Sequence, residues 1–389
     1  MKNLHLTQEQ VTQILEEIAQ RKEGVMMVMQ IALEAIMRAE REVFNQEYGD
    51  VSNGYRMRKT FGHGKLLELR VPRTRFGAFY PVILALLKDQ EEEIRKIAFS
   101  LYGAGLTTQQ VSKIFEEIYG KAYSTSQISR LFESAREEVR IWLERPLEAY
   151  YPIIFIDATF IHVKREDSVS KEAFYTVLGV KPDLTREVLA IVNMPTENVT
   201  GWTEVFRSLR KRGVEEIGLM VSDNITGITD AISRIFGGTD IQLCAVHLMR
   251  NTKNKVNSKD KPAVKRWLKD IFRTGDSSYT RQQAIEKWEA FCDYWGRKYP
   301  GIKRMKKDPI YWYYFTYLQY DYRIQSMIYS TNWIERLNRD YKRVTRMRGA
   351  LPNSDSALLL LGHVAMTKEA YKWKVTSLKY ETEKFRWSE

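Results

Sequence analysis

Three acidic side chains stand where a sequence offers chemistry as well as solvation. Asp157 closes the apolar run Ile153-Ile154-Phe155-Ile156, and Asp223 closes Leu219-Met220-Val221-Ser222. Each run reads as a strand buried on both faces, and ligands of α/β sheets gather at strand ends. Glu335 lies in Thr331-Asn332-Trp333-Ile334-Glu335-Arg336-Leu337-Asn338-Arg339, where Ile334, Leu337 and Tyr341 form one helical face and leave Glu335 beside Asn338 and Arg339. Magnesium takes a few hard oxygen ligands and keeps positions open for water and phosphate. Two such ions on one phosphodiester activate the attacking oxygen and stabilise the leaving one. Each residue also has a plainer reading. An Asp at a strand end often serves as a cap or turn, and Glu335 can pair with Arg339 four residues on.

The rest of the composition narrows the chemistry. The chain has 389 residues, room for two or three domains, with five histidines and two cysteines, Cys244 and Cys292. That excludes a disulfide scaffold or a four-cysteine zinc site and suits a reduced intracellular protein. Cys244-x-x-His247 has no second Cys–His pair to complete a zinc tetrahedron. No apolar run reaches the length of a membrane span. The polar start, with Glu9, Glu16 and Glu17, is unlike a secretion signal, so the expected location is the cytoplasm.

The net charge is +12, and residues 251–350 hold 23 Lys and Arg against 10 Asp and Glu, an excess of 13. The basic excess is therefore confined to one stretch, as a polyanion-binding face requires; a solvated helical surface is the bland alternative. Arg336, Arg339, Lys342, Arg343, Arg346 and Arg348 follow Glu335 on one helix and its end, placed to meet phosphates. Lys303-Arg304-x-Lys306-Lys307 can do the same. Tyr311 to Tyr322 holds eight aromatics, for which packing is the default and stacking on an unpaired base the alternative.

The elements that must position these groups are legible in outline. Residues 1–50 read as helices, with Thr7 as an N-cap, Gln10 at the capping-box position, and a second helix from Val25 to Phe44 whose apolar residues pack or make a dimer face. Residues 51–148 read as a DNA-binding region. It opens with a hairpin that turns at Phe61–Lys65 and returns through Leu67, Leu69 and Val71. A basic loop carrying Arg73 and Arg75 follows, either gripping phosphates or merely solvated. Three helical pieces come next. Thr107 caps the middle one, and Ser126, Gln127 and Arg130 open the last in a helix-turn-helix pattern, with a plain helical hairpin as alternative. Residues 149–247 give strands ending at Asp157 and Asp223, two between them at Phe174–Val180 and Glu187–Val192, a helix at 200–211 and another from Thr226 to Ile235, and a fifth strand from Ile241 to Val246 that carries Cys244. Three strands, then helix, strand, helix and strand, is the order of an RNase H-like α/β core with a mixed sheet. Residues 248–328 read as an all-α insertion, and 329–389 as the end of the core with the Glu335 helix and a helix from Ser354 to Tyr371.

From about Gly54 to Tyr371 the chain resembles the Mutator-type transposases of bacterial insertion sequences. Gly54-Tyr55-Arg56, Val71-Pro72-Arg73, Arg145-Pro146-Leu147, Ile156-Asp157-Ala158, Val221-Ser222-Asp223 and Cys244-Ala245-Val246-His247 carry the likeness. Most specific is Ser330-Thr331-Asn332-Trp333-Ile334-Glu335-Arg336-Leu337-Asn338, running into Lys342-Arg343-Val344-Thr345-Arg346. Val344 and Leu351 depart from the family habit, and neither touches the acidic positions. The resemblance implies that Asp157, Asp223 and Glu335 are the catalytic and metal-binding triad. It implies two Mg²⁺ per site, with Mn²⁺ able to substitute, and support from Cys244, His247 and Trp202, where Trp202 is either core packing or an aromatic near a distorted DNA end. It implies double-stranded DNA as partner, both terminal inverted repeats and target, contacted among others by Arg56 and Arg73. It further implies a homodimer or larger assembly, no membrane, a nucleoid-associated location, and strand cleavage followed by strand transfer. A catalytically inactive, transposase-derived DNA-binding protein is the alternative.

Overall fold

Apolar periodicity decides the elements of the computed structural model, which describes Thr12, Glu16 and residues 24–388 except 63–64, 78, 120–124 and 347. The helix expected over the first residues, with Thr7 and Gln10, lies outside the described residues, as do the side chains of Ser126, Gln127 and Arg130 and the turn before them. The chain forms two compact units, one ending at Ser134 and one spanning Ala135–Glu389. No described helix is long and apolar enough to cross a membrane.

In the first unit, α1 (Gly24–Tyr48) packs on an antiparallel hairpin, β1 (Ser52–Gly62) and β2 (Lys65–Thr74). Leu67, Leu69 and Val71 alternate into a core closed by Leu33, Met37, Leu84 and Leu87. The strand runs further than its apolar alternation predicts: Arg73 sits on β2, and only Arg75 belongs to the loop. Three helices follow, α2 (Val82–Gly103), α3 (Thr108–Tyr119) and α4 (Thr125–Glu144), the last of which continues past Ser134 into the second unit. Thr107 does cap α3: its hydroxyl accepts from Gln110 N at 3.2 Å, while Gln110 Oε1 accepts from Thr107 N at 2.8 Å.

The second unit is built on a five-stranded mixed sheet in the order β5-β4-β3-β6-β7. Its strands are β3 (Tyr150–Lys164), β4 (Val169–Val180), β5 (Arg186–Asn193), β6 (Glu216–Ser222) and β7 (Asp240–Leu243). The first three form an antiparallel meander, and β6 and β7 run parallel to β3. Ile153 to Ile156 are buried on both faces, as their apolar run requires.

Two expected boundaries move. β3 does not end at Asp157 but continues to Lys164, its outer half alternating buried Ile161 and Val163 with exposed Phe160, His162 and Lys164. That alternation marks a ribbon with one wet face, paired to β4 throughout. β7 ends at Leu243, so Cys244 is not a strand residue. It stands at the N-cap of α7 (Ala245–Asn254), where its carbonyl accepts from Leu248 N at 3.2 Å.

Helices cover both faces of the sheet. Tyr175, opposite Ala158, meets Trp202 of α5 (Val199–Lys211) edge-on at 5.1 Å. On the other face, Thr159 bonds Asn338 of α12 (Asn332–Arg346). Between β6 and β7 lies α6 (Ile228–Ile235), and α13 (Ser354–Met366) packs near β5.

Residues 245–328 are mainly helical: α7, α8 (Lys261–Ile271), α9 (Arg281–Gly296), α10 (Pro300–Met305), a 3₁₀ run at Tyr311–Gln319 and α11 (Gln325–Ile328). Phe272 stacks on Phe315 at 5.2 Å, with Trp288 and Phe291 beside them. Buried Gln242 of β7 ties this core to the sheet, donating to Tyr314 O at 3.2 Å and accepting from Tyr317 N at 2.6 Å. Most aromatics of the Tyr311–Tyr322 run are therefore packing groups; Trp312 and Tyr322 are exposed.

The loop from Asp223 to α6 is held by one glycine. Gly227 has φ +80°, and a Cβ there would stand 2.6 Å from Val199 N. Left-handed backbone costs an L-residue about 1–2 kcal/mol, and overpacking against fixed atoms about 1–3 kcal/mol. Gly227→Ala is expected to destabilise by roughly 2–4 kcal/mol. Thermal melting beside Gly238→Ala, whose Cβ would meet nothing within 4 Å, checks it: equal melting temperatures would contradict the strain.

Candidate active site

Asp157 and Asp223 are brought together by strand register. β3 and β6 are parallel neighbours with Ile156 beside Ser222, so the next residue on each chain is the aspartate. Neighbouring strands lie about 4.8 Å apart, which sets two carboxylates side by side where β6 ends. Asp223 turns its chain at once, its Oδ1 accepting from Asn224 N at 2.8 Å and its carbonyl from Ile225 N at 2.8 Å.

Glu335 arrives from α12, in that helix's first turn. Ile334, Leu337, Tyr341 and Val344 form the buried stripe of the helix, as its spacing predicts. All three carboxylates line one cavity of about 460 Å³, with His247, Arg250, Asn338, Arg339 and Lys342.

Burial, and then the charges of Asp223 and Glu335, raise the Asp157 carboxyl to about 6, against the opposing pull of His247. Its Oδ1 accepts from Ala158 N at 2.9 Å and its Oδ2 from Asn338 Nδ2 at 2.8 Å. Asn338 Oδ1 in turn accepts from Thr159 Oγ1 at 2.8 Å, so the amide is held at both ends.

His247 lies on the first turn of α7, its Nδ1 3.6 Å from Asp223 Oδ2. The Cys244 side chain beside it, then the two aspartates, raise the imidazole to about 9 against the opposing effect of burial. The Cys244 sulfur accepts from Thr331 Oγ1 at 3.6 Å, and Ala245 N donates to Tyr329 O at 2.9 Å. The cysteine–histidine motif and the start of the Glu335 motif are thus docked on each other. Among the described residues no three His, Cys, Asp or Glu side chains converge into a ready-made metal cage.

Sequence reasoning missed Glu197 and Tyr175, which also line the cavity. The Tyr175 hydroxyl donates to Glu197 Oε1, and Glu197 Oε2 accepts from Thr226 N at 3.0 Å. Glu197 therefore anchors the loop that follows Asp223. No local signal marked it, because its partners come from β4 and from that loop. Exposed Phe160 sits at the rim with Lys171 5.3 Å from its ring centre.

Trp202 is fully buried, does not line the cavity and packs edge-on against Tyr175, as its core-packing reading has it. Arg339 and Lys342 line the cavity, whereas Arg336, Arg343 and Arg346 are exposed on the same helix outside it. Arg56, Arg73 and Arg75 are exposed in the first unit.

The sequence profile of the family described as "Transposase, Mutator family" matches residues 1–376. A probable transposase for an ISRM3-like insertion sequence element of Sinorhizobium fredii is 32% identical over 310 residues, 79% of this chain and 76% of that protein. The transposase for insertion sequence element IS905 of Lactococcus lactis is 29% identical over 357 residues, 89% of this chain and 90% of that one. The transposase for IS256 in transposon Tn4001 of Staphylococcus aureus is 29% identical over 335 residues, 84% and 83% of the two chains. A profile match of that extent, joined to relatives aligned over most of their own length, establishes that the chain belongs to the Mutator family of transposases.

Proposed function

We propose that this transposase binds the terminal inverted repeats of an insertion sequence, cuts a DNA strand there and joins the freed end to target DNA, using Asp157, Asp223 and Glu335. The observation that carries the reading is the register of β3 with β6, which sets two aspartates side by side in one cavity with Glu335. The strand order, with its antiparallel meander, two parallel strands and a helical insertion before α12, supports an RNase H-like core.

The donor set suits divalent cations. It is all carboxylate oxygen, and burial, with the charges of Asp223 and Glu335 adding to it, raises Asp157 in a way that a cation would relieve. Bound there, two Mg²⁺ ions, or Mn²⁺ in their place, would supply Lewis acidity to the attacking and leaving oxygens.

The chain's own residues supply the rest. Asn338 holds one oxygen of Asp157 and fixes its rotamer. Glu197 holds the Asp223 loop through Thr226. His247, Arg250, Arg339 and Lys342 bring positive charge to the same cavity, where a phosphodiester would be bound. Water attacks that phosphodiester, the P–O bond to the 3′ oxygen breaks, and a 3′-OH is released. In the second step the 3′-OH attacks a target phosphate and displaces its 3′ oxygen. Two ends must be held together for joining, which favours a homodimer or larger assembly.

Strand joining with a precleaved repeat oligonucleotide tests the reading. Asp157→Ala, Asp223→Ala and Glu335→Ala should each lower joining by roughly a thousandfold or more, with repeat binding kept in a gel shift. Repeat binding without joined products from the wild type, in either metal, would favour a purely DNA-binding protein. Asn338→Ala should lower the joining rate roughly 10- to 100-fold and raise the Mg²⁺ concentration for half-maximal rate. Thr159→Val, which only frees the amide to turn, should do the same more weakly. Metal titrations of the rate separate these two effects, and an unchanged half-maximal concentration in Asn338→Ala would remove the positioning role.

A further inference from the structure

The basic excess of residues 251–350 is unevenly answered by ion pairs. Lys306 gives its ammonium to Asp293 at 2.8 Å and lies 3.7 Å from Glu289. Lys298 is held by Asp260 at 2.6 Å, and Lys287 by Asp270 at 2.5 Å. Arg250, Lys255, Lys303, Arg304 and Lys307 are different. All five are exposed, and none has a carboxylate in ion-pair reach among the described residues.

These five are carried by two neighbouring segments, the first of which starts at the active site. His247 and Arg250 of α7 line the cavity, and Lys255 is the C-cap of the same helix. Beside the far end of α7 lies α10: Thr252 Oγ1 is 3.9 Å from Met305 Sδ, and Lys255 Cδ is 3.6 Å from where a Cβ of Gly301 would stand. Asn257 N donates to Tyr299 Oη at 3.3 Å, closing the joint between the two segments. Lys303 and Arg304 are on α10, and Lys307 follows it. Ten helical residues span about 15 Å, the axial length of roughly four phosphates on one strand of duplex.

We propose, resting on the function given above, that these two segments hold the duplex backbone leading away from the reacting phosphate. The groups are unpaired cations on long stems, suited to phosphate oxygens rather than base edges. The grip is therefore sequence-independent. Asp260, Asp270, Glu289 and Asp293 are already held by Lys298, Lys287 and Lys306, and against exposed Asp308 the five cations of α7 and α10 remain in excess.

The test is binding of the full-length protein to two duplexes of equal length, one carrying the terminal repeat and one scrambled, by fluorescence anisotropy between 50 and 200 mM salt. For every phosphate that a variant ceases to neutralise, the slope of log K against log salt should become shallower by about 0.9. Lys255→Gln and Lys307→Gln are read singly, and with Lys303→Gln and Arg304→Gln as a quadruple variant; the singles keep the test decisive if the quadruple fails to fold. The expected result is a slope shallower by roughly three to four in the quadruple variant and about one in each single, equally on both duplexes. Lys306→Gln, whose charge is committed to Asp293, should leave the slope unchanged. Unchanged slopes in the single and quadruple variants overturn the surface while leaving the transposase reading intact. A weakening confined to the repeat duplex, or an equal weakening in Lys306→Gln, also overturns it. Absence of wild-type binding to either duplex would sink both readings.

Discussion

Placing carboxylates together away from bulk water is costly, and the second unit is organised around that cost. Asp157 lies on the central strand, and burial together with its acidic neighbours lifts its carboxyl to about 6. Such a group persists in the folded chain only if its geometry is over-determined and its charge is partly answered. The sheet supplies the geometry, through twelve paired positions with β4 on one side and the in-register parallel pairing with β6 on the other. The answer to the charge comes from Ala158 N–H, the Asn338 amide and His247.

One helix then performs several tasks that its periodicity keeps apart. The buried stripe of α12 docks it on β3, with the Tyr341 hydroxyl facing Thr176, the cross-strand partner of Asp157. Asn338 stands one turn from Glu335, so the third carboxylate and the clamp on the first share a rigid element. Arg339 and Lys342 follow toward the cavity, and Arg336, Arg343 and Arg346 face solvent. A shift of this helix would move Glu335 and release Asp157 together.

The sequence carried the parts of this arrangement that depend on local pattern. Buried runs before Asp157 and Asp223, the stripe through Ile334 and Tyr341, and the capping of α3 by Thr107 all follow from neighbours a few residues away. The parts that escaped depend on partners distant in the chain. Glu197 acquires meaning only beside Tyr175 and Thr226, and Asn338 only beside Asp157 and Thr159. Cys244 reads as a strand residue because Ile241 to Val246 is largely apolar; the donation of Ala245 N to Tyr329 O, 84 residues on, is what helps turn the backbone into α7 there. The outer half of β3 escapes for a different reason: Thr159 to Lys164 alternates as a strand should, but an aspartate after an apolar run reads as a strand end. In the first unit, the length of β2 is set by its partner strand.

That same junction at Cys244 fastens the helical segment of residues 245–328 to the sheet. The insertion leaves the core at α7, with His247 already in the cavity, and the chain returns at Tyr329 to Thr331, in contact with Cys244 and Ala245. Its exit and re-entry are thus one hydrogen-bonded joint beside Asp223, and Gln242 adds a second buried tie to the 3₁₀ segment. A domain fastened at two such points, over an aromatic core that includes Phe272, Trp288 and Phe315, has little freedom to swing relative to the carboxylates. Cations carried on α7 and α10 therefore stand at fixed distances from the three carboxylates. Rigid spacing of this kind lets general electrostatic attraction serve positional accuracy, because a phosphate held at Lys255 or Arg304 limits where the next few phosphates of the same strand can lie.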